Sequence, residues 1–127
     1  MPSVLVVDDE LPLLNLMQRY LQRLGYQAET TADSSAALQM VVAEPGRFQL
    51  VVADLSMPQL SGRELVKKIG EVNPEIGILV CSGEPFDCGT IPHSKPDRLR
   101  FLQKPFAPKM LADAVAELLP SASATNA

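Results

Sequence analysis

Short apolar runs recur along the chain, each followed by a stretch in which apolar residues return at helical spacing. Val4–Val7, Gln27–Thr31, Leu50–Ala53, Ile76–Cys81 and Phe101-Leu102 read as strands, the second weaker than the rest. After the first, Leu11, Leu14, Met17, Leu21 and Leu24 mark a helix that Gly25 ends. Asp33 or Ser34 caps a second helix with apolar face Ala37, Met40 and Val41, closed by Pro45-Gly46. Ser61-Gly62-Arg63-Glu64 matches a capping box before Leu65, Val66, Ile69 and Val72, and Pro108 opens a last helix bearing Leu111, Ala114, Val115 and Leu118. Strands that alternate with helices build βαβ units, hence a parallel sheet with helices on both faces. Strands that are apolar throughout fit a sheet covered on both sides. Five such units use up the 127 residues and leave no room for a second domain.

One segment interrupts the alternation. Between Gly83 and Arg98 stand Pro85, Pro92 and Pro96, with Gly89 and few apolar residues, so a long fourth helix is not expected there. A loop with at most a short helix is the reading. A single domain would then occupy residues 1–120, and the small polar tail 121–127 would fray.

Composition removes several function classes. With 11 Lys+Arg against 15 Asp+Glu, a net charge of −4 and no basic block, binding to nucleic acid or an anionic membrane has little electrostatic support. No apolar run approaches the roughly 20 residues that span a bilayer, and the N-terminus lacks the basic region and cleavage site of a secretory signal. Cys81 and Cys88 fit neither a disulfide framework nor a four-ligand zinc site, so the cytoplasm is the expected compartment. His93, in a Pro-His-Ser context, reads as a solvated loop residue.

The informative polar residues are those that cut the strands off. Asp8 and Asp9 follow the first strand, Asp54 the third, Ser82 the fourth and Lys104 the fifth. Singly, each has an ordinary explanation: a helix cap, a turn aspartate, a turn serine, a surface lysine. Together they fall at the carboxyl end of successive parallel strands, where open α/β sheets bind their ligands. Three carboxylates brought together repel one another, and a divalent cation relieves that; hard oxygen donors suit Mg²⁺. Such a set with a hydroxyl and a lysine suits phosphoryl transfer, one carboxylate acting as the in-line nucleophile.

Four motifs occur in order: Val6-Val7-Asp8-Asp9-Glu10, Asp54-Leu55-Ser56-Met57-Pro58 with Gly62, Ser82-Gly83, and Lys104-Pro105-Phe106. From about Val4 to Leu119 the chain resembles the receiver (response regulator) domain of bacterial two-component phosphorelays. The resemblance implies a flavodoxin-like (βα)5 doubly wound parallel sheet of strand order 2-1-3-4-5. It implies Asp54 as phosphoacceptor, Lys104 as the phosphate-binding lysine, and Ser82 and Phe101 as a switch pair. Mg²⁺ would be held by Asp9, Asp54 and the Ser56 backbone carbonyl, with Asp8 acting through a water. Ser56 and Glu84 would tune loss of the phosphoryl group, and a cis bond is implied at Lys104-Pro105. The expected partners are a histidine kinase or histidine phosphotransfer protein and an unidentified downstream protein, with the chain a monomer or weak dimer. It would be no enzyme beyond catalysing its own phosphorylation and dephosphorylation. It could stand alone or be the receiver of a hybrid sensor histidine kinase; with no effector domain in 127 residues, output would be by protein contact or onward phosphotransfer. Two competing readings remain. One is a pseudo-receiver that docks proteins without phosphorylation. The other is an aspartyl-phosphate hydrolase, against which stands Ser56 where that class places a second aspartate.

Overall fold

The computed structural model describes residues 2–55, 62–83 and 96–119. Five strands run β1 (Ser3–Val7), β2 (Gln27–Thr31), β3 (Leu50–Asp54), β4 (Gly77–Ser82) and β5 (Leu99–Gln103). The helices among the described residues are α1 (Leu11–Arg23), α2 (Ser34–Ala43), α3 (Gly62–Val72) and α4 (Pro108–Leu118), with a 3-10 turn at Pro96–Arg98. All strand pairs are parallel and the order is β2-β1-β3-β4-β5, the doubly wound arrangement expected. The expected irregularity of 84–98 falls largely on 84–95, outside the described residues, as do the tail, Ser56, Glu84, Cys88 and His93.

Strand alternation divides the core in two. Leu5, Val7, Val51, Ala53, Ile78 and Val80 point to the face covered by α2 and α3, where they meet Ala37, Val41, Leu65, Val66 and Ile69. Val4, Val6, Val52, Leu79 and Cys81 point to the opposite face, against Leu14, Met17 and Leu21 of α1 and Leu111, Val115 and Leu118 of α4. β1, β3 and β4 therefore bury both faces, which is why they read as unbroken apolar runs.

Local chemistry sets the helix ends. Asp33 caps α2, its carboxylate accepting from the backbone N–H of Ser35 and Ala36. After α1, Gly25 takes φ +98°, and the N–H groups of Gly25 and Tyr26 bond back to the carbonyls of Gln22 and Leu21. That is the Schellman pattern, and the left-handed φ explains the glycine.

Gly77 answers a different constraint. A Cβ there would lie 2.9 Å from the Leu118 backbone oxygen and 3.1 Å from Leu50 Cδ1. The Arg98 guanidinium also donates to that Leu118 oxygen, and its Nε to the Glu75 carbonyl, so the end of α4 has little freedom to retreat. Gly77→Ala is expected to cost about 1–3 kcal/mol through overpacking. Urea unfolding checks this, and a variant as stable as the parent would show that α4 yields instead.

Candidate functional site

Register carries distant residues to one rim. Val7 is paired with Ala53, Asp54 with Cys81, and Ser82 with Gln103, so the residues that close β1, β3, β4 and β5 finish side by side. The ladder runs slightly past the strands: the Asp8 N–H donates to the Thr31 carbonyl, Leu55 to Cys81, and Lys104 to Ser82 at 2.8 Å. The rim lies where strand order reverses around β1 and β3, the crevice in which such sheets take ligands.

Alternation then decides which side chains meet. Asp8 is two residues beyond Val6, Asp54 two beyond Val52, and Lys104 two beyond Leu102, all on the α1/α4 face. Lys104 Nζ lies 2.9 Å from Asp8 Oδ2, 3.3 Å from Glu10 Oε1 and 3.6 Å from Asp54 Oδ2. Asp8 and Asp54 are buried at 1% and 5% exposure, whereas Asp9 is exposed. Burial works against the charge on Lys104, but its hydrogen bond to and attraction for Asp8, with Asp54 and Glu10, outweigh that and hold its pKa above the ordinary 10.5.

Ser82 and Phe101 fall on the opposite face, two residues beyond Val80 and Leu99. Phe101 pairs across the ladder with Val80, two residues before Ser82, so the two share one side of neighbouring strands. Phe101 is half-buried and borders an open cleft of 420 Å³ with Asp97, Leu99 and Arg100. Cys81 sits below the acids, and burial pushes its thiol up to about 12, so it stays protonated and packs as an apolar residue.

A cleft of 640 Å³ opens above the acids, lined by Asp9, Glu10, Leu13, Asp54, Gly83, Lys104, Pro105 and Phe106. The Lys104-Pro105 bond beneath it is cis. One oxygen from each of Asp8, Asp9 and Asp54 lies within 4.8 Å of the other two. This hard-oxygen set fits a divalent cation, since the spacing lets one ion reach several carboxylates while Lys104 offsets only part of their charge.

Most of the anticipated residues therefore meet. Asp8, Asp9, Asp54 and Lys104 converge, Ser82 and Phe101 share the opposite face of the sheet at the same rim, and Ser56 lies outside the described residues. The ordinary explanation of the acid pair as a helix cap does not describe it: the residue before α1 is Glu10, which makes no side-chain cap. Asp8 Oδ1 accepts from the Glu10 N–H at 2.9 Å. Glu10 itself had only a place in a motif; its ion pair with Lys104, 94 positions away, has no local signature.

The family model for the response regulator receiver domain matches residues 4–116. The chain belongs to that family. The receiver domain is 28% identical over 126 residues to the response regulator SaeR of Staphylococcus epidermidis, covering 99% of this chain and 54% of SaeR. It is 32% identical over 117 residues to the sensor kinase CckA of Brucella abortus, covering 92% of this chain and 12% of CckA. The chain thus spans about half, or far less, of these relatives. Among solved structures, the chemotaxis protein CheY4 of Vibrio cholerae superposes with TM-score 0.80 at 29% identity, over 94% of this chain and 99% of that one. The receiver domain of the hybrid histidine kinase CckA does so with TM-score 0.76 at 27% identity, over 91% and 98%. No helix among the described residues is long and apolar enough to cross a membrane.

Proposed function

We propose that this receiver domain accepts a phosphoryl group on Asp54 from a phosphohistidine of a histidine kinase or histidine phosphotransfer protein, and that the change alters its contacts with a further protein. The observation that carries the reading is Lys104, whose ammonium lies within 3.6 Å of both Asp8 and Asp54. Clustering buried acids around a lysine costs stability, and a module that only docked proteins would have no use for it.

An Asp54 carboxylate oxygen attacks the phosphorus in line. The P–O bond forms as the donor's P–N bond breaks, and the imidazole nitrogen leaves with the electron pair and takes up a proton. Lys104 neutralises charge on the transferring oxygens in this reading, and Ser82, at the end of β4, donates a hydrogen bond to one of them. Asp9, Asp54 and the Ser56 carbonyl would hold Mg²⁺; both Asp8 oxygens already have protein partners, in keeping with contact through water. Bound there, the cation supplies further positive charge against the phosphoryl oxygens. Movement of Ser82 toward the phosphoryl group would draw Phe101 with it on their shared face, biasing a two-state surface.

The domain catalyses only its own phosphorylation and dephosphorylation, and works in the cytoplasm. It serves either as a free-standing regulator or as the receiver of a hybrid kinase, the context of the CckA relative. Intact-mass measurement after incubation with acetyl phosphate and Mg²⁺ tests this. One phosphoryl adduct is expected, and none in Asp54→Asn. Absence of an adduct at every Mg²⁺ concentration would favour the pseudo-receiver, and repeated turnover of phosphate esters the hydrolase.

A further inference from the structure

Glu10 stands out because its side chain does something its position does not require. It precedes α1, where a short side chain would cap the helix, yet it makes no cap and reaches instead to Lys104 at 3.3 Å. The ammonium has three hydrogens and faces three carboxylates. Asp8 and Asp54 are buried, whereas the Glu10 side chain is 63% exposed. The ammonium donates to Asp8 and Glu10, with Asp54 Oδ2 3.6 Å away, and a phosphoryl group added to Asp54 would draw it toward itself at the expense of those two bonds. Release of the exposed carboxylate costs least, because water can solvate it at once. Glu10 also lines the cleft that an incoming phosphoryl group must enter.

We propose that Glu10 is a positioning residue that holds Lys104 in the unphosphorylated domain and competes with the phosphoryl group for it, weakening the phosphorylated state. This rests on the reading of Asp54 as the phosphoacceptor. The Glu10 N–H to Asp8 is a backbone contact, so substituting the side chain leaves it in place.

The test uses beryllofluoride, a stable mimic of the phosphoryl group, titrated with excess Mg²⁺ and followed by fluorine NMR. Glu10→Gln is expected to bind it roughly two- to fivefold more tightly than the parent, as for loss of one exposed ion pair. Glu10→Asp keeps the charge but is one methylene too short for Lys104, and is expected to match Glu10→Gln. Mg²⁺ alone, measured by calorimetry, is expected to bind the parent and Glu10→Gln equally. Unchanged or weaker beryllofluoride binding in Glu10→Gln overturns the proposal. So does a Glu10→Asp protein that behaves as the parent, which would make the effect one of net charge. Loss of Mg²⁺ affinity in Glu10→Gln would make Glu10 a metal ligand and also overturn it. If the parent itself binds no beryllofluoride, the phosphoacceptor reading falls together with the proposal; parent binding with an unresponsive Glu10 removes the proposal alone.

Discussion

Lys104→Met is expected to destabilise the domain by about 3 kcal/mol, the lower end for breaking a buried ion pair. Methionine keeps most of the length and apolar stem, so the loss falls on charge. Asp8, at 1% exposure, keeps the Glu10 N–H but loses its cation, and Asp54 loses the same partner. The lower end applies because the Lys104 side chain is 15% exposed and water can enter once it is gone. The pH dependence has a definite sign. The folded pKa of Lys104 is raised, so its stabilisation is present in full below the ordinary 10.5 and is lost as pH rises through the higher folded value. The gap between parent and variant is therefore expected to be flat across neutral pH and to close only in strong alkali. Millimolar Mg²⁺ is expected to restore more stability to the variant than to the parent, because it supplies the missing charge to the same oxygens. Urea titrations across pH check both statements; a gap that closed near neutrality would mean another group dominates.

Leu79→Ala is expected to cost about 2–5 kcal/mol, a large part of a domain's usual 5–15. Leu79 is fully buried on β4, between β3 and β5, in the core shared with α1 and α4. Its removal leaves a cavity with helices on one side and a hydrogen-bonded sheet on the other, neither of which collapses easily. Leu16→Ala supplies the contrast: Leu16 is 62% exposed on α1 and its loss is expected to change stability by no more than about 0.5 kcal/mol. Similar effects from the two would contradict the division of the sheet into two covered faces. Chemical denaturation of both variants decides it.

The sequence made the layers legible for the reason Leu79 matters. β1, β3 and β4 bury both faces, so nothing polar breaks them until they reach the rim. The acids were legible because Asp8 and Asp54 end apolar runs abruptly, and Lys104 because it follows the fifth. What could not be read was anything that depends on register. The placement of Asp8, Asp54 and Lys104 on one face and of Ser82 and Phe101 on the other follows from alternation once the pairs Asp54–Cys81 and Val80–Phe101 are known. No local pattern supplies those pairs. Glu10 had only its place in a motif, and its ion-pair partner is 94 residues away. Gly77 fell inside the expected strand Ile76–Cys81 with no reason attached to it, and the reason lies in the carbonyl of Leu118.

The convergent rim is proposed to carry a phosphoryl group on Asp54. Borohydride reduction of the protein after acetyl phosphate and Mg²⁺, followed by peptide mass spectrometry, tests it most directly, because an aspartyl phosphate is reduced to homoserine where it forms. Homoserine at position 54 alone, and none in Asp54→Asn, is the predicted result. Homoserine at position 8 or 9, or at no position, would rule out Asp54 as the phosphoacceptor.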